Sequence, residues 1–376
     1  MRTDRVSGGP RGLAAGRAGS GPKMKTRTLF GAATAAALAG AAARRPAEDI
    51  TGEVAVITGA SRGLGLILAR ELARHGCRLV ICARDSDELG HAATMLRRDG
   101  AEVTAIPADI EEAGTPELLV RTAVEEYGRL DILVNNAGII QVGPVENVGP
   151  HNYEEAVRLM ALAPVRLTYA ALPVMREQQH GRIVNITSIG GKVSVPHLLP
   201  YSVGKFAAVG FSEGLRAELG AAPIAVTTVV PGLMRTGSHL HAEFTGRQED
   251  EFTWFSLGAS VPLVSIDAER AGQQIVSAIR RRRAELIITP LAQVAARGAG
   301  VVPEVTTALL HLMSRLLPPP GHGQPAPGGQ LRPAFSQPLF DRITTLGRAA
   351  ARQFNQLAER PEGHPTADRP ARQAGS

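Results

Sequence analysis

The segment YSVGK at 201–205 sets a phenol and an ammonium four positions apart. On a helix this spacing puts Tyr201 and Lys205 on one face, within reach of each other. An ammonium held beside a phenol favours the phenolate and draws its pKa down from about 10. The plain alternative is a solvated lysine beside a partly packed tyrosine, and the pair alone does not choose between them. A second stretch, TGASRGLG at 58–65, follows the apolar run VAVIT and leads into an apolar-periodic segment. Gly59, Gly63 and Gly65 permit a tight turn, close backbone approach and close helix–strand packing, which suits a pyrophosphate at a helix N-terminus. Their order departs from G-x-G-x-x-G, and simple chain reversal is the other role open to them.

The next strand-like run, RLVICAR, ends at Ala83 and Arg84. An NAD-selective site places a carboxylate there for the adenosine ribose. Ala83 has none, whereas Arg84 and Arg62 can meet a 2′-phosphate, which favours NADP(H) over NAD(H). Asp85 nearby counts the other way.

Positioning such groups requires a scaffold, and the chain reads as one. VAVIT, RLVICAR, EVTAIPAD, LDILVNNAG, GRIVNITS, IAVTTVVPG and ELIIT are strand-like. They alternate with helix-like LGLILARELARHG, SDELGHAATMLRRDG, TPELLVRTAVEEYG, the long run 152–178, YSVGKFAAVGFSEGLRAELG and 267–280. Pro164 is expected to perturb the long helix. The pattern predicts an α/β fold: a doubly wound parallel sheet (Rossmann-type) in a single domain, 51–290, with a helical C-terminal extension at 291–317. Residues 233–262 read as irregular and as a substrate lid, lined by Leu233, Leu240, Phe244, Trp254, Phe255 and Leu257, with Glu243 facing solvent. Those apolar residues serve equally well as core contacts.

The ends differ in kind. The chain has 376 residues, 44% of them hydrophobic and only 4% aromatic, with 41 Gly and 26 Pro gathered toward the termini. Residues 1–50 read as a basic, Ala/Gly-rich leader or weak membrane segment, because the apolar run at 29–43 is short for a span. Val305, Leu309, Leu312, Met313 and Leu316 make an apolar stripe suited to packing on the domain or on a sister subunit. PPPGHGQPAPGG opens a mostly disordered tail at 318–376, in which 340–359 can form a detached helix. The net charge of +6 permits contact with anionic surfaces. Without aromatic–basic interleaving or a recognition helix, nucleic acid is not an expected partner. Cys77 and Cys82 fall in or beside RLVICAR and read as small core residues.

TGASRGLG, Asp109, NNAG at 135–138, Ser188, YSVGK and the Pro231–Gly232 pair together resemble the classical short-chain dehydrogenase/reductase family in order and spacing over 51–290. The resemblance implies an NAD(P)-dependent enzyme that interconverts a carbonyl and a secondary alcohol, with no metal. Tyr201 would be the proton donor or acceptor. Lys205 would lower its pKa and bind the nicotinamide ribose, and Ser188 would orient the carbonyl and stabilise developing charge. For the cofactor, it implies contacts from Gly59, Ser61, Arg62, Gly63, Leu64, Gly65, Arg84, Asp109, Asn136, Ala137, Gly138, Tyr201, Lys205, Pro231, Gly232 and Thr236. Asn135 joins the NNAG segment that steadies the sheet, while turn caps are the plain alternatives for Ser188 and Thr236. His197 lies where it can line the substrate pocket, without an expected catalytic or metal role.

One position departs from the family. Met160 stands where the resemblance places a catalytic Asn, whose kinked helix holds a proton-relay water on a main-chain carbonyl. A thioether is a poor acceptor and has no amide donor. Either the backbone keeps the water or the relay is lost. Two other classes therefore stand beside an NADP(H)-dependent oxidoreductase: a dinucleotide-sensing binding protein with little turnover, and a structural oligomer. The expected partners are a small, apolar carbonyl or alcohol substrate and further copies of the chain. The expected setting is the cytoplasm, with membrane contact allowed.

Overall fold

The run VAVIT forms β1 (Val54–Thr58), with every residue buried. That pattern requires cover on both faces, and the following segments supply it. The structure, a computed structural model, describes residues 45–260, 265–336, Phe340, Thr344 and 353–356, and the elements below belong to the unit Pro46–Ser376. After β1 come α1 (Gly63–Arg74), β2 (Arg78–Ala83), α2 (Ser86–Arg98), β3 (Val103–Pro107), α3 (Thr115–Tyr127) and β4 (Ile132–Asn135). The Asp85 carboxylate caps α2 by accepting the Asp87 and Glu88 amides. Gly76 lies just past α1 at φ +79°, a left-handed position where glycine is unstrained.

A short β5 (Gln141–Val142) precedes a long, broken helix. It runs as α4 (Pro150–Val157), one π-turn at Arg158–Leu162, and α5 (Ala163–Glu177). The Ala163 amide reaches back five residues to the Arg158 carbonyl. Pro164 has no N–H to offer the Met160 carbonyl four residues back, and the widened turn accommodates that lost bond. Thus the perturbation expected from Pro164 is present, and it occurs with Met160 inside the turn.

There follow β6 (Gly181–Ile186), α6 (Leu199–Glu218), β7 (Ile224–Pro231), β8 (Leu233–Arg235), β9 (Glu243–Gly246), α7 (Gln248–Ser260), β10 (Ser265–Asp267), α8 (Ala268–Arg280) and β11 (Glu285–Ile288). The central sheet is wholly parallel, in the order β11-β7-β6-β4-β1-β2-β3. The winding direction reverses between β1 and β4, which opens a crevice at the carboxyl ends of those strands. Two apolar layers cover the sheet. One contains Ile57, Leu68, Leu79, Ile81 and Ile275, the other Val56, Leu133, Leu159, Leu167 and Ile183. Cys77 and Cys82 are 3% and 0% exposed and have no disulfide; burial pushes both thiols up to about 12, as inert core residues require.

The segment 233–262 is more regular than its composition suggests. Its acidic QEDE opening suits a helix N-terminus, and Phe252, Phe255 and Ala259 supply the buried face of α7. The helical extension forms α9 (Pro290–Val301) and α10 (Pro303–Ser314), with Val305, Leu309, Leu312 and Leu316 exposed. Within the linker-like tract, Gly323–Pro327 forms β12, antiparallel to β9, which also pairs with β5. Side chains beyond β12 complete an aromatic cluster in which Phe335 and Phe340 meet Phe252 and Phe244. Pairing of this kind has no local signature. Residues 1–44 of the leader expected over 1–50, and most of the proposed helix at 340–359, lie outside the described residues.

A chain ending at Leu317 loses β12 and the Phe335 and Phe340 rings. It is expected to melt about 5–15 °C lower, with faster amide exchange at Phe244. An unchanged melting temperature would show that the tail does not support the lid.

Candidate active site

Lys205 anchors the site. Its side chain lies on α6 at 5% exposure, and Nζ donates to the Ile186 carbonyl at 2.9 Å. Desolvation lowers its pKa from 10.5 to about 8. Nζ stands 5.8 Å from the Tyr201 ring centroid, one helical turn earlier. Burial pushes the Tyr201 phenol above its ordinary range, and a hydrogen bond with Ser188 opposes that rise. The sequence expectation had the ammonium lowering the phenol's pKa; in the structure, burial outweighs the opposing hydrogen bond and the phenol is raised. Ser188 also accepts the Gly190 amide at 3.0 Å, which is the turn cap named as its plain alternative. Ser188, Tyr201 and Lys205 are thus brought together from the end of β6 and the first turns of α6.

The TGASRGLG turn lies at the β1–β4 crevice. Gly59 has φ +63°, and a Cβ there would meet the Ala137 Cα at 2.9 Å; a Cβ on Gly65 would collide with the Gly59 carbonyl. Only glycine fits at either place. The Asn136 side chain donates to the Thr58 and Gly59 carbonyls at 2.9 and 3.1 Å, while Thr58 Oγ1 accepts the Asn136 and Ala137 amides. NNAG therefore clamps the turn, with Gly138 beside the Met160 side chain and Lys205. Below it, Asn135 donates to Asn185, Asn185 to Ser212, and Ser212 shares a bond with Thr228.

The remaining predicted residues rim the same edge. Asp109 is partly buried and accepts the Glu111 amide. Pro231 ends β7, and the Gly232 amide donates to Ile288. Thr236 is buried and accepts the Ser238 amide at 3.3 Å, a turn cap. Leu64 is buried at the start of α1. Arg84 is exposed at the end of β2. Arg62 pairs with Glu88, which also accepts from Ser61.

Several contacts carry no signal in the sequence. The Gly63 amide donates to the Phe354 carbonyl at 3.0 Å, and Asn355 Nδ2 donates to the Ser61 and Glu88 carbonyls. Phe354 is 2% exposed, against Ile67 and Ala268. A tail segment thus sits on the turn that the glycines shape for a phosphate. Nor does spacing reveal the buried carboxylate of Glu251 beside His197.

Comparison with known proteins decides the family. A sequence profile of short chain dehydrogenases matches residues 53–243. The chain is a member of the short-chain dehydrogenase/reductase family. It is 39% identical to a putative ketoacyl reductase of Streptomyces coelicolor over 186 residues, which is 49% of this chain and 71% of that protein. To a dehydrogenase/reductase SDR family protein 7-like of Anopheles gambiae it is 33% identical over 266 residues, 67% of this chain and 80% of the relative. The crystal structure of a short-chain dehydrogenase from Streptomyces avermitilis superposes with a TM-score of 0.61 at 28% identity, covering 70% of this chain and 97% of that one. The protein is accordingly a short-chain NAD(P)-dependent dehydrogenase/reductase acting on a small molecule, and the glycine cradle, the open strand ends and the helix N-terminus fit a dinucleotide.

Two outcomes follow from this geometry. The folded chain releases the Lys205 proton near pH 8, whereas the unfolded chain holds it to about 10.5. Unfolding therefore takes up a proton in that window, and stability rises with pH across it by up to about 3 kcal/mol. Melting temperatures of the dinucleotide-free protein should show this rise, and it should disappear in Lys205→Met; equal slopes would contradict it. Phe354→Ala should loosen the tail and free the Gly63 amide, tightening NADPH binding about three- to tenfold by calorimetry. Weaker binding would mean that the tail helps to hold the dinucleotide.

Proposed function

We propose that this enzyme is an NADP(H)-dependent carbonyl reductase or secondary-alcohol dehydrogenase, with Tyr201 as the general acid or base. The observation that carries this reading is the phenol of Tyr201 brought beside Ser188, with the buried Lys205 ammonium 5.8 Å from its ring centroid. The dinucleotide supplies the hydride when bound. Ser188 and Tyr201 hold the substrate oxygen between two hydroxyls, and Tyr201 gives that oxygen a proton in reduction or removes one in oxidation. Among the described residues Nζ of Lys205 makes one hydrogen bond, which leaves ammonium protons for the ribose and for the phenolate as it forms. Favouring the phenolate over the phenol stabilises the state reached after proton transfer.

NADP(H) is the preferred cofactor in this reading. Ala83 offers no carboxylate at the end of β2, and Asp85 is engaged in capping α2. Arg84 remains exposed at that edge for a 2′-phosphate. A large intracellular NADP(H) pool fits catalysis in the cytoplasm, with contact at its membrane face allowed. Relatives named putative ketoacyl reductase in Streptomyces coelicolor and granaticin polyketide synthase putative ketoacyl reductase 1 in Streptomyces violaceoruber make ketoacyl compounds the first substrates to try. The apolar surroundings of Tyr201, which include Leu198, Trp254 and Phe255, favour an apolar ketone. Exposed Val203 and Phe206 on α6, with Tyr169 on α5, support assembly of further copies through these helices.

A second reading, a dinucleotide sensor with little turnover, draws on Met160, whose thioether fills the place between Gly138 and Gly204. A single pair of assays separates the two. With a panel of ketoacyl and apolar ketones, Tyr201→Phe should lower kcat by about a thousandfold or more and leave the NADPH Kd within about twofold. NADPH binding without turnover by the unaltered enzyme would favour the sensor. Arg84→Ala should weaken NADPH about tenfold and NADH much less; equal losses would remove the cofactor preference.

A further inference from the structure

Glu251, on the lid helix α7, is 0% exposed, and a carboxylate so placed requires donors. It has two. Trp254 Nε1 donates to Oε2 at 2.6 Å, and His197 Nδ1 lies 2.7 Å from Oε1. His197 belongs to the loop between Ser188 and Tyr201, four residues before the phenol. Its backbone is held at φ +62°, a left-handed conformation uncommon for a side-chain-bearing residue, and its carbonyl accepts the Gly143 amide at 2.8 Å. Two attachments to different elements thus hold a backbone that would otherwise relax. The ring meets Trp254 edge-on, with centroids 6.5 Å apart.

Nδ1 faces a carboxylate oxygen, an acceptor, so Nδ1 carries the N–H of the bond, and in the neutral imidazole Nε2 is then an acceptor. Nε2 has no hydrogen-bond partner among the described residues, and the side chain keeps 11% exposure while its carboxylate partner has none. The open edge of the ring is therefore the one that carries Nε2. Val195, Leu198, Tyr201, Trp254 and Phe255 belong to one apolar cluster; His197 lies between Val195 and Leu198 in the chain, and its ring meets Trp254 edge-on. In such surroundings one fixed acceptor discriminates strongly among otherwise apolar ligands.

We propose that His197 is a specificity-determining residue whose Nε2 accepts a hydrogen bond from a hydroxyl or amide N–H on the substrate, away from the reacting carbonyl, and that Glu251 is the positioning residue that sets its tautomer. The substrate class is then an apolar ketone carrying a hydrogen-bond donor. This rests on the carbonyl-reductase reading above.

The test uses the full chain and a homologous series of methyl ketones ending in a hydroxyl, each beside its methyl-terminated counterpart. His197→Asn is the informative variant, because its amide can still donate to Glu251 and asparagine tolerates the left-handed backbone, while Nε2 is gone. For the preferred hydroxyl-terminated ketone, KM should rise about tenfold with kcat little changed, and the methyl-terminated series should move less than about twofold. Nitrogen-15 NMR of histidine-labelled protein should show Nε2 as the unprotonated nitrogen of neutral His197. Glu251→Gln should shift the tautomer balance, and adding a hydroxyl-terminated ketone with NADPH should move the Nε2 signal. Parallel changes in the two ketone series, or a protonated Nε2 in the neutral ring, would overturn the proposal. Should the unaltered enzyme reduce no ketone, the reductase reading fails, and the NMR titration still decides whether His197 meets the donor: an unmoved Nε2 signal overturns the contact.

Discussion

Everything at this site depends on a lysine ammonium kept out of water. Lys205 is 5% exposed, and among the described residues its ammonium donates to one carbonyl, that of Ile186. Its lowered pKa records what the burial costs. A charge held this way, with donor capacity left over, is little screened by water, and it lies 5.8 Å from the Tyr201 ring centroid. The strand–helix junction that brings Ser188 and Tyr201 together fixes the direction in which the ammonium acts.

The sheet supplies that junction. Parallel strands with both faces covered place their carboxyl ends along one edge, and the reversal between β1 and β4 opens that edge for a dinucleotide. Thr58 and Asn136 tie the glycine turn to β4, so the phosphate cradle and the strand beside it move as one body. The buried chain from Asn135 through Asn185 and Ser212 to Thr228 joins four elements with satisfied polar groups. Such a chain rigidifies the floor under the reacting groups. The π-turn at Arg158–Leu162 keeps the helix beside Lys205 bent, although Met160 brings no amide to hold it; Pro164 imposes the irregularity through the backbone.

The strands and helices of the sheet were legible because each has a strong period or a fully apolar run, with glycine or proline at its ends. YSVGK and TGASRGLG were legible because their chemistry is local: one helical turn, one strand-to-helix turn. Contacts made across long sequence distances were not. Nothing in GQPAP announces a strand, since its pairing with β9 uses backbone groups that every residue owns. Glu251 reads as one more acidic residue in QEDE until the fold buries it against His197. The Phe354 carbonyl on the Gly63 amide is equally silent in the sequence, and the Arg62–Glu88 pair redirects a residue whose charge alone suggested a phosphate contact.

The central claim is that the enclosed ammonium and the bound dinucleotide together tune the phenol. Among the chain's four tyrosines, a carbon-13 label at the ring carbon bearing the hydroxyl is assignable to Tyr201 by comparison with Tyr201→Phe. Titration of that signal should place the free enzyme's phenol above the ordinary tyrosine range, move it downward when NADP is bound, and lose that movement in Lys205→Met. A Tyr201 titration that is the same in all three states would contradict the account.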